Sequence, residues 1–313
     1  MNAALNLHPD AIAYLETRER NLPKFPTEAR HDPAVGQSYL RELRRLPAGK
    51  AKDREIVEIS SHLCARVYRP SRPPVGIVVF VHGGGFVAGN LDSETDYCAL
   101  TAERADVVVL SIDYRLAPEH PYPAATEDAQ AAIAWTLQHA AAIGAPPRLA
   151  LVGSSAGGAI AAGACLTLDP SALSSVRHLT LFYPALSPAL STASAHQLAR
   201  GYGLIREQMR WFWDAYLGGD PMRTPPAFAA APGLADDLTG LPPTSVIVAE
   251  LDLLRDDGAQ FVAGARSRGV DASLLQARGH VHGFLNYCST SLDIQQYVTH
   301  AADDIRRQLT SDT

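Results

Sequence analysis

The stretch from Leu149 to Leu168 constrains this chain more than any other. Leu149 to Val152 is a short apolar run of the kind that makes a buried strand. Ala156 to Leu168 is small and apolar, with helix-forming Ala and Leu spaced by Gly. Between them lies Gly153-Ser154-Ser155-Ala156-Gly157, a G-x-S-x-G at a strand-to-helix junction. A serine hydroxyl is a good nucleophile only when it stands clear of its backbone, beside a base and at a helix N-terminus. The sharp turn this needs crowds the residues two before and two after the serine, so glycine is wanted at both. Gly153 and Gly157 flank Ser155 in this way, whereas Ser154 has Val152 and Ala156 at those offsets. Ser155 is therefore the predicted nucleophile. The bare motif arises by chance in roughly one chain in ten at ordinary Gly and Ser frequencies, so its partners must decide.

The rest of the chain alternates in a way that suits such a junction. Arg54–Ile59 and Leu63–Tyr68 read as paired antiparallel strands, and Gly76–Val81 as a buried strand rich in β-branched residues. A capping-box-like Ser93-Glu94-Thr95-Asp96 starts a helix to about Ala105, and Val107–Ile112 is the next strand. The Pro-rich connection 113–123 is expected to brace a loop. A helix follows from Ala124 to about Gly144. After the central junction, strands are predicted at Leu179–Phe182, Thr244–Ala249 and Ala272–Gln276, with helices over Asp256–Arg268 and Leu292–Leu309. Regular βαβ spacing argues an α/β fold, a mostly parallel sheet covered by helices on both faces. Two segments break the rhythm. Residues 1–50 carry two short amphipathic helices, Pro9–Leu22 and Val35–Leu46, which cannot bury their apolar faces alone. Residues 184–243 carry one aromatic helix, Glu207–Leu217, among Pro- and Gly-rich connections, as a lid would. The expected division is a core of 51–183 and 244–313, with 1–50 and the 184–243 insertion as a cap.

Composition excludes several classes. A formal charge of −6 with no basic run argues against nucleic acid or an anionic membrane surface. No stretch reaches 18 uninterrupted apolar residues, so no membrane span is expected. The N-terminus lacks the basic start and apolar centre of a secretory signal. Cys64, Cys98, Cys165 and Cys288 are far apart without C-x-x-C, which suggests neither zinc nor a disulfide framework. Cys98 and Cys165 fall in predicted helices and read as buried thiols. The expectation is a cytoplasmic protein; a homodimer is compatible with the sequence.

The partners of Ser155 come in the right order. His82-Gly83-Gly84-Gly85-Phe86 follows the Gly76–Val81 strand, where G-x-S-x-G enzymes take oxyanion-hole donors. No Gly-Lys-Ser/Thr follows, so a phosphate loop is disfavoured. An orienting acid and then a base should follow the serine, each beyond the carboxyl end of a strand. Asp252 lies closest to the end of Thr244–Ala249 among the aspartates; Asp256 and Asp257 suit the first helical turn, and Glu250 is a weaker rival. After the last strand, Gly279-His280-Val281-His282-Gly283-Phe284 offers two histidines in one Gly-bounded loop. Gly283 and the greater distance from the strand end favour His282 as base, with His280 bracing the loop.

Together, HGGGF at 82–86, YRLAPEHPYPAA at 114–125, GSSAGG at 153–158, DLLRDDG at 252–258 and HGF at 282–284 resemble the hormone-sensitive-lipase-like (family IV) esterases. The resemblance spans residues about 54 to 310. It implies an α/β-hydrolase core with a cap, and serine carboxylester hydrolysis without metal or organic cofactor. It also implies Ser155, Asp252 and His282 as the catalytic triad, with the Gly83, Gly84 and Ala156 amides as the oxyanion hole. Ser154 stands where the family usually has Asp or Thr, and Leu253 where Pro is frequent. Phe86, Trp211 and Phe284 are expected to line the pocket of a short- or medium-chain ester. Acyl transfer, or amide or lactone hydrolysis, would use the same triad. A non-catalytic small-molecule receptor would be expected to have lost one of its members.

Overall fold

The computed structural model describes residues 6–45, 55–219 and 227–311. Eight strands form one sheet: β1 (Ile56–Ser60), β2 (Leu63–Tyr68), β3 (Gly76–Val81), β4 (Val107–Ile112), β5 (Leu149–Ser154), β6 (Val176–Phe182), β7 (Thr244–Leu251) and β8 (Ala272–Val281). The apolar runs of β3, β4 and β5 are buried at every position, because helices cover both of their faces. Edge strand β1 is partly exposed throughout. The order is β1-β2-β4-β3-β5-β6-β7-β8. β1 and β4 flank β2 antiparallel, and every later pair is parallel. The chain therefore turns back at β3, between β4 on one side and β5 on the other. In open α/β sheets such a switch point opens a crevice beyond the carboxyl ends of the strands. The loop after β3 carries His82–Gly85, and the turn after β5 carries Ser155.

The helices are α1 (Pro9–Asn21), α2 (Pro33–Arg44), α3 (Thr95–Ala105), α4 (Ala124–Ile143), α5 (Ala156–Thr167), α6 (Pro170–Leu173), α7 (Ala193–Gln197), α8 (Arg206–Leu217), α9 (Arg255–Ser267) and α10 (Leu292–Thr310). Alternation along β3 divides the core in two. Ile77, Val79 and Val81 pack with Ile133 of α4, Ile160 of α5 and Phe261 of α9. Val78 and Phe80 pack with Tyr97 of α3 and with Val298 and Ile305 of α10. No helix among the described residues is long and apolar enough to cross a membrane. The four cysteines are free. Cys98 and Cys165 are buried in α3 and α5 as expected, and burial pushes the Cys165 thiol up to about 12.

Three expectations need correction. The strands after the central junction run further than the apolar runs suggested: β7 reaches Leu251 and β8 reaches Val281. Gly279, His280 and Val281 are therefore strand, and only His282 lies beyond it. The capping box at Ser93 does not form. Ser93 Oγ accepts from the Asn90 amide, and α3 begins at Thr95 after Glu94 in a left-handed conformation, φ 52°. A third shift is small: α2 spans Pro33–Arg44, and Leu46 and Arg54, like the expected boundary near 50, lie outside the described residues.

The 113–123 connection does brace the fold. Arg115 grips Asp128 of α4 through Nε and Nη2, at 3.0 and 2.8 Å. Arg44 of α2 pairs with Glu119 at 2.8 Å and donates to the Val87 and Ala117 carbonyls. One guanidinium thus ties the N-terminal segment to two loops of the core.

Candidate active site

The elbow is as tight as its glycines suggest. A Cβ at Gly153 would fall 2.2 Å from the Gly157 carbonyl oxygen, and one at Gly157 would fall 2.1 Å from that of Val81. Ser155 itself sits at φ 52°, ψ −118°, a strained conformation for a residue with a side chain. Its amide donates to the Phe182 carbonyl at 2.9 Å, which carries the β5–β6 pairing through the turn. The hydroxyl is left at the head of α5.

Sheet register brings its partners together. Leu251 of β7 pairs with Val281 of β8 after an irregularity that follows Ala249. The next residue on each strand is Asp252 and His282, so both emerge side by side. Asp252 Oδ2 lies 2.7 Å from His282 Nδ1, and His282 Nε2 lies 2.8 Å from Ser155 Oγ. The Leu254 amide donates to Asp252 Oδ1 at 2.9 Å and holds the carboxylate in place. With Nδ1–H donating to Asp252, Nε2 presents its lone pair to the serine. The rival acids are engaged elsewhere: Glu250 accepts from the Gly279 amide, and Asp256 accepts from Arg255 and the Ser194 amide. His280 is fully buried between Tyr287 and Asp293, at 2.9 and 2.8 Å.

The glycine loop corrects one predicted donor. The Gly83 amide donates to Glu94 Oε2 at 3.2 Å and is not free for a substrate oxygen. Among the described residues no such bond engages the amides of Gly84 or Gly85, and Ala156 is the first residue of α5. Of the three amides expected to form the oxyanion hole, that of Gly83 is thus already taken by a side chain. His82 anchors the loop: its ring stacks on Tyr114 at 4.3 Å, and Nδ1 donates to the Gly83 carbonyl at 2.7 Å. Burial pushes the His82 pKa down to about 4, so the anchor is neutral.

A family model described as the alpha/beta hydrolase fold matches residues 78–286. The chain belongs to the alpha/beta-hydrolase family. Within it, the chain is 37% identical to esterase LipI of Mycobacterium tuberculosis over 89% of its own length and 82% of that protein's. It is 29% identical to an ethyl acetate hydrolase of Pseudomonas putida, over 97% of this chain and all of that one. Among solved structures, a hyperthermophilic esterase from Pyrobaculum calidifontis superposes with a TM-score of 0.82 at 30% identity, covering 98% of this chain and 100% of that one. A bacterial heroin esterase does so at 0.79 and 29%, over 98% and 99%. These relatives and the five motifs place this hydrolase among the hormone-sensitive-lipase-like esterases, and it is a carboxylic ester hydrolase.

Sequence reasoning missed one member of the hydrolase site. Glu94, read as part of a helix cap, turns inward. Its carboxylate accepts from Ser154 Oγ at 2.6 Å, from the Gly83 amide, and from Tyr183 Oη at 3.3 Å. Burial pushes its pKa up, while the three donors and His282 oppose that rise. Tyr183 packs edge-on against the His282 ring at 4.9 Å. Glu94 therefore joins the elbow, the glycine loop and Tyr183, the ring that packs on His282, through one carboxylate. The presence of Ser154 at a family Asp or Thr position was the available signal: a hydroxyl donates to the half-buried Glu94 where a second carboxylate would repel it.

Above Ser155 lies a cavity of about 560 Å³. The three expected pocket aromatics do not line it. Phe86 is stacked on Tyr216 at 4.0 Å, because its left-handed backbone turns the ring into the core. Trp211 packs on Tyr39 at 5.5 Å, and Phe284 on Tyr183 at 4.8 Å. The apolar lining comes instead from Leu22, Leu43, Leu116, Leu204, Met209 and Phe212. On α8 it is Met209 and Phe212, three residues apart and so on one side of the helix, that face the site.

Proposed function

We propose that this carboxylic ester hydrolase is a serine esterase for short- to medium-chain acyl groups, with Ser155 as nucleophile, His282 as base and Asp252 as the orienting acid. The unbroken chain of two bonds from Asp252 through His282 to Ser155, opening into the cavity, carries this reading. His282 Nε2 takes the proton as Ser155 Oγ attacks the ester carbonyl. The oxyanion is held by the amides of Gly84, Gly85 and Ala156, each typically worth about 3 kcal/mol. The alcohol leaves with the proton from His282, and water, activated by the same nitrogen, clears the acyl-enzyme.

Residues 6–45 and the described part of 184–243 act as a cap in this proposal. The cavity lining supports it, since α1, α2 and α8 supply Leu22's neighbourhood, Leu43, Met209 and Phe212. The cavity size suits an enclosed small ester better than a lipid held at an interface. Four free cysteines are in keeping with a reducing, cytoplasmic setting. The test is hydrolysis of p-nitrophenyl esters from two to sixteen carbons, with a serine-directed phosphonate to mark the nucleophile. Label on Ser155 and a maximum at short or medium chains are expected. Label on Ser154, or a maximum at the longest chain, would overturn the corresponding part.

A further inference from the structure

We propose that His8, His280 and Asp293 bind a divalent transition-metal ion of the zinc type, at a site separate from the Ser155 cavity. The three residues come from distant parts of the chain: the residue before α1, strand β8 and the first turn of α10. One ligand atom from each lies within 4.8 Å of the others, and among the described residues this is the one such group of three. Ligands around a tetrahedral zinc ion at ordinary bond lengths sit roughly 3.3 Å apart. Closing the site thus asks for movements of about 1.5 Å or less.

The structure separates a fixed ligand from two adjustable ones. The His280 side chain is fully buried, whereas those of His8 and Asp293 are each 33% exposed. The exposed side of His8 and Asp293 admits the ion and a water for a fourth position; His8 Nδ1 caps α1 by accepting from the Asp10 amide at 3.2 Å, which leaves Nε2 of that ring for the metal. His280 Nε2 faces Asp293 Oδ2 at 2.8 Å, and Nδ1 faces Tyr287 Oη at 2.9 Å. In the metal-free arrangement Nε2–H donates to the Asp293 carboxylate; a metal taking that place moves the proton to Nδ1, where Tyr287 Oη accepts it, and leaves the Nε2 lone pair for the ion. Tyr287 is then the outer partner that metal-bound histidines almost always have. The imidazole of His8 lies beside that of His280, centroids 4.6 Å apart and planes 31° from parallel. Asp10 adds a carboxylate 3.6 Å from His8 Nδ1. Two imidazoles and one carboxylate suit zinc; magnesium and calcium ask for oxygen alone.

Such an ion would pin α1 to the strand that leads into His282. The His8 amide already donates to the Gly279 carbonyl at 2.9 Å, and Tyr14, Thr17 and Arg18 of α1 line the cavity. The metal takes no part in bond breaking. Its place is to brace the cavity wall. This inference does not depend on the roles given to Ser155 or His282.

The experiment is calorimetric titration of the full chain, stripped with a chelator, using zinc chloride, with cobalt(II) absorption as a report on coordination geometry. One saturable zinc per chain is expected, with a raised Tm and tetrahedral cobalt bands. Loss of an outer partner already weakens metal sites about 10- to 100-fold, so His8→Ala and Asp293→Asn should each weaken zinc by at least about tenfold. His8→Ala alters only a partly exposed side chain, and circular dichroism checks that it remains folded. His282→Ala should retain the site. Absence of saturable binding in the parent would overturn the proposal, as would unchanged affinity in folded His8→Ala. Loss of zinc in His282→Ala with retention in His8→Ala would assign the ion to the catalytic cavity and overturn it equally.

Discussion

The two walls of the cavity are built by different means. One wall is the carboxyl edge of the sheet, where backbone pairing sets the atoms: Ser155 hangs from Phe182, and Asp252 and His282 follow a paired Leu251 and Val281. The other is made of side chains from α1, α2 and α8, held by ring contacts such as Phe25 on Tyr39 at 5.3 Å and Tyr39 on Trp211 at 5.5 Å. Backbone ladders hold a position to fractions of an ångström, whereas packed rings tolerate exchange for others of similar volume. The edge should therefore govern rate, and the helical wall should govern which ester fits.

The hardest test of that contrast is at the edge. Ser155→Ala and His282→Ala should lower kcat by about 10³- to 10⁴-fold or more with the fold retained, in steady-state assays on a short-chain ester. Ser154→Ala should keep substantial activity. A smaller loss at His282 than at His280 would reverse the assignment of the base. Glu94→Gln comes next. It keeps the shape of a positioning residue but puts an amide NH₂ where one of two acceptors stood. We expect kcat to fall roughly 10-fold with KM changed less, since the Glu94 carboxylate is committed to Ser154, the Gly83 amide and Tyr183 at the cavity wall. A loss confined to KM would place Glu94 in the binding wall instead.

Changes in the helical wall should do less to chemistry. Phe212→Ala and Met209→Ala should move the preferred acyl length by a few carbons while kcat on an acetyl ester stays within about threefold. A uniform fall over all chain lengths would mean that this wall positions the triad. The smallest effect is on stability alone, at Asp257 behind the edge. Burial, with Asp252 and Asp256 nearby, raises its pKa from 3.8 to about 7. The folded value lies above the unfolded one, so the protonated acid contributes stability at low pH that is lost as pH rises from about 4 through 7. Asp257→Asn should raise Tm relative to the parent at pH 8 and by much less at pH 4.5, read by thermal melts across that range. A difference independent of pH would show that the carboxyl is not the group that titrates.

Much of the core was legible because each part obeys a local rule. Six-residue β-branched runs must be buried strands, and the glycine spacing singles out Ser155 over Ser154 within five residues. The aromatic helix was legible as an element but not in its facing. Met209 and Phe212 rather than Trp211 reach the cavity, because Tyr39 and Phe25 of the N-terminal segment occupy the other side. Phe86 and Phe284 sit beside the right motifs and yet turn into the core.

What the amino-acid order determined by itself is the elbow, since a Cβ at either glycine would strike backbone only a few residues away or on the adjoining strand. The order of the motifs likewise implies the switch point at β3. Only the tertiary structure brings His282 rather than His280 to Ser155, because β8 ends at Val281, between the two. Register with β7 carries His280 into the core and releases His282 opposite Asp252. The same holds for Gly83 and Glu94. Which amide is taken, and which carboxylate turns inward, depends on groups 11 to 89 residues apart meeting at the half-buried wall of the cavity. A half-buried charge must find its donors there, and no local pattern records where they will be.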